Sequence, residues 1–215
     1  MERFEIPYLN TSVYLWFFTQ LGNAAELRSS LIEASKLDDS DPQTASQRAR
    51  LDWAFLNSSM ITSLQHLQTA IYQALLARSH GQLKTKTIHS EIMWTLSPGT
   101  NISDAIKRFG MDPKATSVVL VKICDLVGSD QQSEQASNLN DAALELVDGK
   151  LVPIDQIRTL ATSWKEIRKV YKLNEDLALK QADVRLKQGV ASEEELQGLI
   201  DHLVISTVAL KTVAG

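Results

Sequence analysis

One stretch near the N-terminus, Ser12-Val-Tyr-Leu-Trp-Phe-Phe18, constrains the fold more than any other. A short run of β-branched and aromatic residues without polar alternation reads as a strand buried on both faces. A second such run, Ser117 to Ile123, gives another buried strand, and Trp53 to Leu56 a shorter one. Between and after them the apolar spacing changes to three and four. Ala24, Leu27, Leu31 and Ala34 fall on one helical face, as do Leu64, Leu67, Ile71, Ala74 and Leu75 within a helix from about Thr62 to Ser79. Gly81 stops that helix, and Asn101 caps a two-turn helix that ends at Gly110.

From Thr87 to Leu96 the pattern alternates, with Ile88, Ile92, Trp94 and Leu96 on one side and His89, Glu91, Met93 and Thr95 on the other. This reads as a strand. Three helices are expected to close the chain, at about Asp155–Tyr171, Asn174–Lys187 and from Ser192 onward. The last opens on the capping box Ser-Glu-Glu-Glu195. The predicted fold class is α+β: a small, mainly antiparallel or mixed sheet with helices packed against it and an all-helical C-terminal part. One domain over residues 1–215 is expected, with a surface loop at 38–50. The segment from Asp125 to about 150 has six acids and no Lys or Arg as far as Asp148, and reads as a mobile insertion.

The chemistry available to this chain is narrow. Its four histidines, His66, His80, His89 and His202, form no metal-ligand spacing, and the nine glycines no phosphate-cradling loop, so neither metal nor cofactor is expected. The nearest approach to an acid/base pair is His89 with Glu91 on the predicted strand face, which leaves a small acid/base enzyme as an alternative reading. A lone thiol, Cys124, suits a reducing compartment. Val13–Phe18 is too short for an export core, and Leu203–Leu210 falls far below the roughly 20 apolar residues of a membrane span. The triplets at Asn10, Asn57 and Asn101 then read as turn and cap positions rather than glycosylation sites.

Two features carry functional weight. Although acids outnumber bases 26 to 22, no Asp or Glu occurs from Trp53 through Ser90. That stretch holds Arg78, Lys84 and Lys86, and Lys107 and Arg108 follow shortly after. An acid-free basic segment in an acidic protein clears a path for a polyanion such as RNA, with the helix start at Asn101 as a neutral phosphate seat. The other feature is the final helix. Leu203-Val-Ile-Ser-Thr-Val-Ala-Leu210 is apolar nearly all round, which points to a protein partner on Leu203, Val204, Ile205, Val208 or Leu210.

The stretch Gly81-Gln-Leu-Lys-Thr-Lys-Thr-Ile-His-Ser-Glu-Ile92, followed by Leu96-Ser-Pro-Gly-Thr-Asn-Ile-Ser-Asp-Ala-Ile-Lys-Arg-Phe-Gly110, resembles the signature of the PRPK-binding protein (TPRKB) family, the small kinase-binding subunits of the KEOPS (EKC) complex. Asp52-Trp-Ala-Phe-Leu-Asn57 and the C-terminal Ala209-Leu-Lys211 are similar as well. The resemblance spans about residues 8–123 and 155–213 and does not extend to the 38–50 or 125–148 segments. It implies a non-catalytic subunit that binds an atypical kinase/ATPase, meets the other KEOPS subunits through it, and grips the 3′ CCA end of tRNA. The complex makes threonylcarbamoyladenosine in tRNA and, in fungi, is linked to telomere maintenance and transcription, so nucleus and cytoplasm are the expected locations. Set beside the residue pattern, this expectation gives Lys84, Lys86, Asn101, Lys107 and Arg108 to tRNA, and Leu203, Val204, Ile205, Val208 and Leu210 to the kinase. A pure protein scaffold without RNA contact is the remaining alternative.

Overall fold

The computed structural model describes residues 1–36 and 42–211. In chain order the elements are β1 (Glu2–Ile6), β2 (Thr11–Thr19), α1 (Ala24–Ala34), α2 (Pro42–Arg50), β3 (Ala54–Asn57), α3 (Leu64–Ser79), α4 (Ile88–Leu96) and α5 (Ile102–Phe109). There follow β4 (Ser117–Asp125), α6 (Gln132–Leu146), β5 (Lys150–Val152), α7 (Ile157–Leu160), α8 (Trp164–Val170), α9 (Leu177–Lys187) and α10 (Glu193–Leu210). The fold is α+β, as the pattern of strands and helices predicts.

The sheet is antiparallel throughout, in the order β1-β2-β4-β3. Strand β5 pairs with β2 at Phe17–Thr19, beyond the end of β1, so the two short strands share one edge of β2. The long strand β2 is buried on both faces because each face meets its own helical layer. Val13, Leu15 and Phe17 join Val119, Val121 and Ile123 of β4 against a layer that includes α3, α4 and α10. On the reverse face, Tyr14, Trp16 and Phe18 join Val118 and Leu120 against Leu27 of α1 and Ala143 and Leu146 of α6. With a side-chain period of two, a continuous apolar run can only be dry if both sides are covered.

Several predicted boundaries hold for local reasons. Gly81 takes a φ of +65°, the left-handed geometry that ends α3 at little cost for a residue without Cβ. The side chains of Asn57 and Asn101 accept backbone N–H bonds at the starts of their turns, and Asn10 sits at φ 48° in a tight turn. Ser192 and Glu195 close the expected capping box on α10.

Four readings are corrected. Residues 88–96 form helix α4, not a strand. The Thr87 hydroxyl accepts the Ser90 N–H, and the Ser90 hydroxyl accepts the Thr87 N–H. The helix is buried on most sides, so its apolar residues need not show a helical stripe and happened to alternate. The acidic stretch after Asp125 is not a mobile insertion. It contains α6, tied to the sheet where Tyr14 Oη donates to Gln135 Oε1 at 2.8 Å and Trp16 Nε1 to Asn140 Oδ1 at 3.1 Å. The predicted helix Asp155–Tyr171 breaks into α7 and α8. At the break, Thr162 Oγ1 donates to Ile61 O at 2.6 Å and Ser163 N to Ser59 O at 2.9 Å, so the backbone bonds across the fold instead of along the helix. The predicted loop at 38–50 is helical from Pro42, while Asp38, Asp39 and Asp41 lie outside the described residues.

Candidate functional site

The acid-free segment folds into β3, α3, the turn after it and the start of α4. The acids that flank it in sequence are both held. Asp52 meets the His89 ring at 2.9 Å and Lys122 Nζ at 3.0 Å. The hydrogen bond from His89 holds the Asp52 carboxyl well below the usual carboxylate range, and Lys122 adds to this. Glu91 is fully buried, and its Oε2 accepts from Lys84 N at 3.0 Å, Thr85 N at 2.8 Å and Thr85 Oγ1 at 2.7 Å. His89 and Glu91 therefore do not work as a pair. Two residues apart on a helix they point about 200° apart, one to Asp52 and one to the 84–85 turn.

The structure opens a cavity of about 640 Å³ where α3, the 82–84 turn, α4, the start of α5 and the C-terminal end of α10 meet. Leu76, Ala77, Trp94 and Ile102 give it apolar walls, and the ammonium groups of Lys84 and Lys211 lie on it together with the His80 ring. A second groove of about 500 Å³ lies past Thr100, which lines both, and takes in Asn101, Asp104, Arg108, Lys169 and Lys172. Of the five predicted tRNA residues, Lys84 thus lines the first hollow and Asn101 and Arg108 the second. Lys86 and Lys107 are exposed but line neither. Asn101 Oδ1 is occupied as a cap, accepting Asp104 N at 3.0 Å.

Lys211 was missed as a site residue. Its ammonium lies 3.7 Å from the Trp94 ring centroid and donates to the carbonyls of Trp94, Ser97 (2.6 Å) and Gly99 (2.9 Å). Burial pulls this ammonium down to about 8, with the Glu91 charge opposing the shift. Lys211 fastens the end of α10 to the 97–101 turn that enters α5. Only its place in the Ala209-Leu-Lys211 resemblance marked it in the sequence. Lys169 and Lys172 carried no signal, because they reach the second groove from a helix far along the chain.

The apolar end of α10 divides. Val204 (0% exposed) and Val208 (1%) lie in the core that includes Leu67, Ile71 and Leu75 of α3, so neither presents a surface to a partner. Their assignment to the kinase surface is corrected: the chain's own packing covers that stripe. Leu203 and Leu210, seven residues apart, share one flank of the helix, and Leu210 is 60% exposed. Ile205 is partly exposed on the opposite flank. An exposed aromatic pair, Tyr8 and Tyr72, sits on the outer side of α3 with ring centroids 6.3 Å apart.

Among the described residues no cluster of His, Cys, Asp or Glu has the arrangement of a metal site, and no helix is long and apolar enough to cross a membrane.

The profile of a family described as kinase binding protein CGI-121 matches residues 18–212. A protein of Cryptococcus neoformans var. neoformans serotype D named EKC/KEOPS complex subunit CGI121 is 28% identical over 99% of this chain and 100% of its own length. Proteins of the same name from Kluyveromyces lactis (30% identical, 78% of this chain, 90% of theirs) and Gibberella zeae (29%, 99% and 99%) are similar to it as well.

Proposed function

The chain belongs to the kinase-binding protein CGI-121 family, and from that premise we propose that it is a non-catalytic subunit of an EKC/KEOPS complex that binds the atypical kinase/ATPase and the 3′ CCA end of tRNA. In this role it supports threonylcarbamoyladenosine modification, and it works in nucleus and cytoplasm with the telomere and transcription links of the fungal complex. The observation that carries the RNA half is the pair of hollows meeting at Thr100, with Lys84 and Lys211 on one and Arg108, Lys169 and Lys172 on the other. Single-stranded RNA needs cations for phosphates and apolar walls for bases, and this path offers both. The adjacent acids Asp52 and Glu91 are already engaged, which removes part of the repulsion a phosphate would meet. Asp104 remains on the second groove and opposes it there.

The kinase half rests on exposed Leu210, with half-buried Leu203 one helical repeat before it, on a helix whose Val204 and Val208 are fully used in the core. The paired variant Lys84→Glu, Lys86→Glu tests the RNA half in gel-shift titrations with tRNA and with tRNA trimmed of its CCA end. Binding should fall at least tenfold in the variant and on trimming, and should weaken steeply with salt. Unchanged binding removes this RNA surface. Tight kinase capture with no tRNA shift under any condition leaves the protein scaffold as the better reading.

A further inference from the structure

A third groove, of about 680 Å³, lies between α8 and the first turns of α10. It shares only Lys169 with the two hollows read above as the RNA path. Trp164 and Leu196, both half-buried against the core, form its floor. Its banks carry opposite charge. Exposed Lys165 and Lys169 stand on the α8 side, and exposed Glu193, with Glu194 next to it, on the α10 side. No ion pair joins the banks among the described residues. Arg168 is taken by Asp183, with bonds of 3.0 and 2.7 Å, and Lys169 lies 4.0 Å from Glu166 of its own helix. Helix dipoles account for Glu193 at the start of α10 and Lys169 near the end of α8. They do not account for Lys165, which sits in the first turn of α8, where the dipole favours an acid.

The charge pattern selects the occupant. A nucleic acid or an acidic peptide would gain the lysines but meet Glu193 and Glu194. A basic peptide would meet Lys165 and Lys169. A partner that satisfies both banks must carry one acidic and one basic strip flanking an apolar seam, and this groove is itself such a surface. A two-fold axis along the groove lays α8 of each copy over α10 of the other, so every opposite-charge pair forms twice.

We infer that a second copy of this chain docks in the groove, Lys165 and Lys169 of each copy facing Glu193 and Glu194 of the other across Trp164 and Leu196. Each helix lends only roughly 8–10 Å of its length to this contact, which is less than the roughly 800 Å² per partner of a stable interface provides. The dimer is therefore transient, with a dissociation constant of about 10 μM to 1 mM. Leu210 stands about 25 Å further along α10 than Glu193, so this contact does not cover the surface proposed for the kinase.

Sedimentation equilibrium of the full chain up to about 0.5 mM, with Lys165→Glu and Glu193→Lys, tests the inference. Both side chains are exposed, so both variants should melt within a few degrees of wild type. Wild type should associate reversibly. Each reversal acts at two symmetric places and should weaken self-association at least about tenfold. An equimolar mixture of the two variants should associate as wild type does, because both reversed contacts then face opposite charge. A wild-type chain that stays monomeric over this range overturns the inference, and so does association that neither reversal changes. Loss of the tRNA gel shift in Lys165→Glu with self-association unaltered assigns the groove to RNA and overturns it as well.

Discussion

Acid should unfold this protein through one buried ring. His66 is completely buried at the start of α3, where its Nδ1 accepts Thr62 N–H at 3.2 Å and its Nε2 lies 3.1 Å from Tyr171 Oη. Tyr171 Oη in turn donates to Leu96 O, so it receives from His66, and the hydrogen-bond network assigns the neutral ring with its proton on Nε2. A second proton would have to enter on Nδ1, directly against the Thr62 N–H. Burial accordingly pulls the His66 imidazole from 6.5 down to about 3. The unfolded chain takes up a proton below 6.5 that the folded chain refuses. Stability from this group is therefore complete above pH 6.5 and is lost progressively as pH falls toward 3. At pH 4.5, two units below the unfolded value, the loss is about 3 kcal/mol, at roughly 1.4 kcal/mol per unit. Urea unfolding followed by tryptophan fluorescence at pH 7 and 4.5 measures it, with His66→Asn as the comparison. Asn keeps an acceptor for Thr62 and does not titrate. It should cost about 1–3 kcal/mol at pH 7 through the lost Tyr171 contact and the space left behind. Its further drop on going to pH 4.5 should be smaller than that of wild type by about 3 kcal/mol. Every other group is common to both proteins and cancels in the difference. Equal drops would refute the assignment. Should the variant not fold, the proton that His66 takes up when wild type unfolds at pH 5 checks the same point by calorimetry in two buffers.

Other outcomes follow from the packing. Val204→Arg should destabilise the fold by about 3–5 kcal/mol, because it drives an unpaired charge into the core against α3. Leu210→Arg should leave the melting temperature within a few degrees of wild type and release the kinase in a pulldown; retained kinase would move the interface elsewhere. Helix α6 should resist limited proteolysis, and Asn140→Ala, which strands the Trp16 indole N–H, should cost about 1–3 kcal/mol in urea unfolding; rapid cleavage within 132–146 in wild type would contradict its docking on the sheet. Lys211→Met should speed hydrogen exchange in the last two turns of α10 while sparing α3, since one bond to Trp94 of α4 and two to the 97–101 turn are lost; no change would show that the apolar stripe alone holds that end.

Local interactions made parts of this protein legible in its sequence. The apolar run in β2 demands two covered faces, Asn101 and Ser192 accept N–H groups three residues ahead, and Gly81 stands where the chain must turn left-handed. Each is decided within a few residues, so the string of letters suffices. The tertiary structure decided what depends on a distant partner. Strands β1 and β5 exist because both lie along one edge of β2, and the 161–163 break exists because Ser59 and Ile61 offer carbonyls about a hundred residues away in sequence. Alternation at 88–96 could not reveal a helix whose surroundings bury most of its sides. The cavity was out of reach for the same reason. Lys211 joins Glu91 and Trp94 only when α10 folds back over α3, and a contact closed over 117 residues leaves no local trace in the sequence.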